Sequence, residues 1–306
     1  MAGIYARYWG YIAVTLSASL FAQISVLTKV AYKLGMTPWQ ILTLQSLLAS
    51  LILLIYSLLF RPKVLRISKR QIPKLLAQGL VGSLGTSLFV SFALLYLPAS
   101  LGIMLLFTYP VLVTFGAFIF FRETIRISHL AALGLAAGGT MLSTQFWQIA
   151  AGSLEFKGIL LGLASAVTYA FFNLYGEHIL NSMEPLTALI YVQLFSSIGL
   201  VLYQLPGYMA KNAVLAANWP QFLLGLTMAT AASIVPFWLL LEGIKHIGAT
   251  KASIIGTLEL PVTFLMAYVL LDERFTIWQA FSAILIITSI FLVRLQDLSL
   301  TSRSKA

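Results

Sequence analysis

The chain has 306 residues, of which 60% are hydrophobic and 9% charged, with a formal net charge of +10 and no cysteine. Soluble domains carry about 25% charged residues, so this composition excludes an ordinary soluble protein. The missing cysteines exclude a disulfide framework and a thiolate metal site. The positive charge does not call for nucleic acid, because membrane proteins retain Lys and Arg in their cytoplasmic loops.

Taken in order, apolar runs of spanning length recur ten times, at residues 9–28, 39–60, 75–96, 99–121, 128–148, 158–180, 186–205, 222–246, 252–271 and 276–293. Each is close to the roughly 20 residues that cross about 30 Å of hydrocarbon as a helix. Leu97-Pro98 alone separates the third run from the fourth, a tight hairpin. With the N-terminus inside, fourteen of the 19 basic residues fall on the cytoplasmic side, six of them in the loop Arg61–Lys74. Lys29, Lys33, Lys157, Lys211 and Arg274 fall on the other. This bias predicts a multi-pass protein of the cell membrane, a bacterial plasma membrane, with both termini cytoplasmic. The basic loop also suits anionic lipid. Trp9, Trp39, Trp147, Trp219 and Trp278 sit at span ends as interfacial anchors; Trp238 sits within a span.

The halves repeat. At an offset of 148, Ser17-Ala18, Phe21-Ala22 and Ser25 fall on Ser165-Ala166, Tyr169-Ala170 and Asn173, and Gln45 falls on Gln193. At an offset of 150, Leu97-Pro98-Ala99-Ser100 falls on Ile247-Gly248-Ala249-Thr250 and Arg122-Glu123 on Asp272-Glu273. Pro110 and Pro261 match with one residue of slip. Residues 1–150 and 151–306 then each hold five spans, and an odd number inserts the second half upside down. The predicted fold is an all-α integral membrane protein of ten transmembrane helices, two inverted five-helix repeats around a central cavity. Secondary transporters share that plan and hold substrate near the midplane between the repeats.

The ninth run carries Glu259, about 10 Å from its basic end. A carboxylate there costs about 2.5–3.5 kcal/mol and is a functional candidate by default. Two readings stand: a site for a proton or a substrate ammonium, or a carboxyl that locks helices together. Pro110 and Pro261 remove helix hydrogen bonds and predict kinks that free the carbonyls of Leu106 and Thr257, either for substrate or for packing alone. Tyr109 adjoins the first kink. Gln23, Tyr169, Asn173 and Trp238 are polar or amphipathic groups inside spans, and Tyr169 and Asn173 share one helix face. As a set they predict an aromatic and amide cavity wall; singly, each suits an interhelical hydrogen bond. Gln45 and Gln193 lean further towards structure. Glu242 and Lys245, three apart, predict a local ion pair. Glu123 and Glu273 predict a shared structural task at the surface, and Gly134-xxx-Gly138 and Gly158-xxx-Gly162 predict close-packing faces.

The block LPASLG…YPV…FFRE and its partner IGATKAS…LELPV…LLDER resemble the EamA family of the drug/metabolite transporter superfamily. The resemblance covers the chain from about Trp9 to Val293. It implies a ten-helix fold with a central cavity and transport of small organic metabolites, often export of amino acids or their derivatives. The chain departs from the family pattern at Gln45, where many relatives carry Arg, and at Glu259-Leu260-Pro261, where relatives often read Glu-Pro. No phosphate-binding loop, H-E-x-x-H or pair of buried Asp is present, so neither an ATP-driven pump nor the common membrane proteases fit, and no cofactor is expected. The expected partners are a small-molecule metabolite, membrane lipid and protons as coupling ion, in a monomer or homodimer. The competing class is a non-transporting membrane sensor or scaffold.

Overall fold

The structure, a computed structural model, describes residues 2–97, 99–122, 127–145, 155–209, 218–271 and 276–303. Among these residues every regular element is helical. In chain order the helices are α1 (Tyr5–Lys33), α2 (Pro38–Phe60), α3 (Ile72–Ala93), α4 (Leu101–Phe121), α5 (Ile127–Thr144), α6 (Phe156–Leu180), α7 (Pro185–Leu205), α8 (Trp219–Ile247), α9 (Ala249–Leu270) and α10 (Ile277–Leu295). All but α5 are long and apolar enough to cross a membrane, which gives nine candidate spans among the described residues. The chain is a multi-pass membrane protein. α5 is diluted by three glycines and several Ser and Thr within 18 residues.

Helix starts follow one recipe. Thr37 and Asn218 cap α2 and α8 by accepting from the N–H three residues on, while Gln40 and Gln221 return a bond to the cap N–H. Thr276 and Gln279 do the same for α10, at 2.9 and 3.3 Å. Each box satisfies two orphan donors with a neutral Gln rather than the usual Glu. A Trp stands inside all three, at positions 39, 219 and 278. The start of α9 is closed from outside: Glu177 of α6 accepts from Ala249 N–H at 2.7 Å, just after Gly248 at φ +83°. Sequence reasoning missed this cap because its partners lie 72 residues apart.

Irregular backbone comes in matched pairs. α3 contains a wide π-type turn at Gln78–Leu84 and α8 another at Thr230–Ile234. α4 consists of Ala99–Leu106 and Tyr109–Phe121, α9 of Ala249–Gly256 and Glu259–Leu271, so every bound recurs 150 residues on. α1 is also interrupted, at Ala22, whereas α6 runs unbroken. Packing is paired too. α1 lies along Val235–Ile247 of α8 as α6 lies along α3, and α5 pairs with α10 and α2 with α7.

Gly158 and Gly162 are the close-packing face expected of them. A Cβ at Gly158 would stand 2.6 Å from Leu97, and one at Gly162 would stand 2.6 Å from Leu105. The face expected at Gly134 and Gly138 is turned away: Gly134 has nothing within 4 Å, and the tight position is Gly139, where a Cβ would meet Ile286 at 2.7 Å. The helix is rotated by one residue, about 100°. Gly162→Ala and Gly139→Ala should therefore each cost about 1–3 kcal/mol by overpacking. Gly134→Ala should be neutral or stabilising by up to about 1 kcal/mol from helix propensity. Thermal unfolding in detergent ranks the three, and a Gly134→Ala loss as large as the others would contradict this packing.

Candidate substrate-binding site

Two polar features lie between the halves. The first forms where the broken helices cross. The α4 break places Tyr109 against α6 and α9: its ring is 4% exposed, 4.5 Å from that of Tyr169, and its hydroxyl donates to the Ser253 carbonyl at 3.1 Å. Glu259 opens the second piece of α9, half-buried, three residues past the Gly256 against which the Tyr109 hydroxyl packs. Gly256 permits this approach, since a Cβ there would lie 2.5 Å from the Tyr109 hydroxyl. From Tyr169 a chain of rings continues through Phe172 (6.1 Å) and Phe237 (5.6 Å) to Phe21 (4.9 Å), joining α6, α8 and α1.

The second feature is a cavity of about 80 Å³ enclosed by α2, α3, α7 and α8. Gln45 and Gln193 line it, with Ser83 and Ser233 from the two wide turns, and Ser87 opposite Phe237. Each of these pairs is separated by 148 or 150 residues, the spacing of the repeat. Its walls carry only neutral groups. Ser197 bonds Ser46, another lining residue, at 2.7 Å and Ser50 at 2.6 Å, clasping α7 to α2. The space suits a few waters or one small hydrogen-bonding group.

The sequence profile of the EamA-like transporter family matches this chain twice, over residues 8–145 and 156–295. The chain belongs to the EamA-like transporter family. An uncharacterized inner membrane transporter of Salmonella typhimurium, YicL, is 26% identical over 97% of both chains. The uncharacterized transporter YcbK of Bacillus subtilis is 25% identical over 87% of this chain and 86% of its own. The uncharacterized transporter sll1319 of Synechocystis is 24% identical, spanning 70% of this chain and 66% of that relative. A solved crystal structure superposes with a TM-score of 0.77 at 16% identity, covering 96% of this chain and 99% of the other, which supports the fold. The protein is a membrane transporter.

In this EamA-like chain the expected site residues divide. Glu259, Tyr109 and Tyr169 come together. Gln23 lies elsewhere, its amide donating at 2.7 Å to the Ala231 carbonyl in the α8 wide turn. Asn173 does not join a cavity wall: it is 1% exposed and its amide donates to the Tyr169 carbonyl of its own helix at 2.8 Å. Trp238 lines a separate cleft with Glu242 and Lys245. Glu242 pairs with His246 at 3.5 Å, one turn along, rather than with the expected Lys245. Pro110 and Pro261 sit beside real breaks, but the Thr257 carbonyl is not left free, because Leu260 N–H donates to it at 3.1 Å. Glu123 and Glu273 lie outside the described residues. Ser83, Ser87 and Ser233 were not singled out from sequence; their signal is the repeat spacing itself.

The Tyr109 hydroxyl and Gly256 compete for one space. Gly256→Ala should cost about 1–3 kcal/mol by overpacking. Adding Tyr109→Phe removes the colliding oxygen, so the double variant should unfold at a higher temperature than Gly256→Ala alone. Additive losses in that double-mutant cycle would show that the two positions do not touch.

Proposed function

We propose that the protein is a secondary transporter that works by alternating access between two inverted five-helix halves, residues 1–150 and 151–306. On this reading α5 spans as well, giving ten crossings, and the basic loop after α2 places both termini in the cytoplasm at the cell membrane. The observation that carries the reading is the polar cavity built from both repeats, with Gln45 facing Gln193 and Ser83 facing Ser233. A site assembled from equivalent positions of two halves can be presented to either side by rocking one half against the other. An amide offers both donor and acceptor, so the two Gln suit the polar end of a small metabolite. The substrate class we assign is amino acids or their derivatives, moved outward, as the family resemblance implies.

The motor on this reading is proton exchange at Glu259. The Tyr109 hydroxyl donates to the Ser253 carbonyl, which leaves its oxygen able to accept from a protonated Glu259. Proteoliposomes test both parts. Glu259→Gln should abolish accumulation of substrate driven by a pH gradient while leaving downhill exchange in place, and unchanged accumulation would remove Glu259 from the mechanism. Gln193→Leu, by contrast, should depress both modes at least tenfold if the cavity holds substrate.

A further inference from the structure

On the same side of the bundle as the basic loop, α2 and the second half of α8 diverge and leave a cleft of about 560 Å³, floored by α7. That is within the range of small-molecule sites, roughly 300–1,000 Å³. Its deep walls are apolar: Leu53 and Leu189 are buried there, and Trp238 lies half-buried between them and the mouth. The mouth is charged on both sides, Arg61 and Lys245 supplying cations, Glu184 and Glu242 carboxylates. Arg61, Lys245 and Glu184 are exposed and have no ion-pair partner among the described residues. One flank is open along α2 and α8, where Tyr56 is 44% and Val235 40% exposed. The cleft stops one helical turn short of the Gln193 cavity, since Leu189 and Gln193 are four apart on α7.

A second observation separates this cleft from a mere gap between splayed helices. The repeat relates this place to the crossing of α7, α3 and α2 at the opposite face, and there three rings bridge the helices. Trp39 lies 5.9 Å from both Phe92 and Tyr203, which are 6.2 Å from each other. At the repeat spacing Phe92 corresponds to Glu242, which lines the cleft, and Trp39 and Tyr203 correspond to Thr187 and Ile55, which flank it in sequence. At one face three rings of this chain bridge the helices; at the other, Glu242 stands where Phe92 would be and the mouth carries charges of both signs.

We propose that this cleft binds a zwitterionic amphipathic molecule. Its anionic group lies by Arg61 and Lys245, its ammonium by Glu184, and its apolar body runs past Trp238 onto Leu53 and Leu189. A purely anionic ligand would face Glu184 and Glu242, and a purely cationic one Arg61 and Lys245, so the balance of charge selects a dipolar head. Two sources offer that chemistry: a zwitterionic phospholipid entering by the open flank, and a dissolved amino acid with an apolar side chain entering by the mouth. The cleft is an equilibrium binding site whether or not flux is observed.

Purified full-length protein, melted against increasing concentrations of each probe, tests this, since a binder of the folded state raises the midpoint. The probes are dioleoylphosphatidylethanolamine, dioleoylphosphatidylglycerol and L-phenylalanine. At least one zwitterion should raise the midpoint with an apparent affinity at least tenfold better than that of the anionic phosphatidylglycerol. Response to the phospholipid alone names the membrane as source, and response to phenylalanine alone names the aqueous phase. Arg61→Gln with Lys245→Gln should weaken the response at least tenfold, as should Glu184→Gln and Trp238→Leu, while the exposed mouth substitutions leave the probe-free midpoint unchanged. Gln193→Leu should leave the response to dioleoylphosphatidylethanolamine intact. The proposal is overturned by no response to either zwitterion, by phosphatidylglycerol acting equally well, or by binding that Gln193→Leu removes and the mouth variants do not. A protein that binds here but fails to transport in proteoliposomes would refute the transport mechanism and leave the cleft assignment standing.

Discussion

The governing constraint is that no backbone N–H or C=O can go unsatisfied in oil. A regular helix meets it internally; a broken or widened one cannot, so every irregular stretch must lie where other protein groups can reach it. Here side chains reach carbonyls around these stretches. Thr108 and Thr257 turn their hydroxyls back onto Leu105 and Ile254, both at 2.7 Å. Ser17 reaches the Pro236 carbonyl and Gln23 the Ala231 carbonyl, also at 2.7 Å each. The donors come from α1, α4 and α9, and the acceptors lie on α4, α8 and α9. The irregularities are therefore driven to the middle of the bundle, and with them the only polarity the membrane allows. The cavity of Gln and Ser and the cluster around Glu259 are consequences of where broken helices can be kept.

Close approach is the second condition. Interhelical attraction in lipid rests on contact rather than on expulsion of water, so glycine sets which helices can touch. Gly158 and Gly162 let α6 rest on the α3–α4 turn and on Leu105 of α4. Gly256 admits the Tyr109 hydroxyl to the α9 backbone beside Ser253. The last contact joins packing to chemistry: the glycine that lets α4 and α9 cross also seats a phenol three residues before the half-buried Glu259.

The fold was readable where the signal is local. Hydropathy located the spans, proline located the α4 and α9 breaks, and the cost of a carboxylate in lipid singled out Glu259. What needed the structure was rotation and partner choice. A helix turned by one residue moves the tight glycine from Gly138 to Gly139, and one more step along α8 gives Glu242 to His246 instead of Lys245. Asn173 was placed on a helix face correctly as far as spacing goes, yet its amide closes onto its own backbone, which spacing cannot reveal. The Gln and Ser cavity was hidden for a different reason. Each member is an ordinary polar residue in its own helix, and only the convergence of four helices makes them a set.

The two halves share a backbone plan but not a chemistry, and the differences fall at equivalent points. Tyr109 and Glu259 each begin the second piece of a broken helix 150 residues apart, one a phenol and the other a carboxyl. Phe92 joins Trp39 and Tyr203 in a ring cluster at one face, while its repeat mate Glu242 lines a cleft with a charged mouth at the other. Two identical halves facing opposite ways would treat both sides of the membrane alike, and binding would carry no sense of direction. Placing Glu259 in one copy where the other has Tyr109, and Glu242 where the other has Phe92, breaks that equivalence without altering the fold. On the proposed inverted arrangement, the side that meets the charged mouth and the side that meets the rings then differ in what they admit, which is the minimum a transporter needs to tell inside from outside.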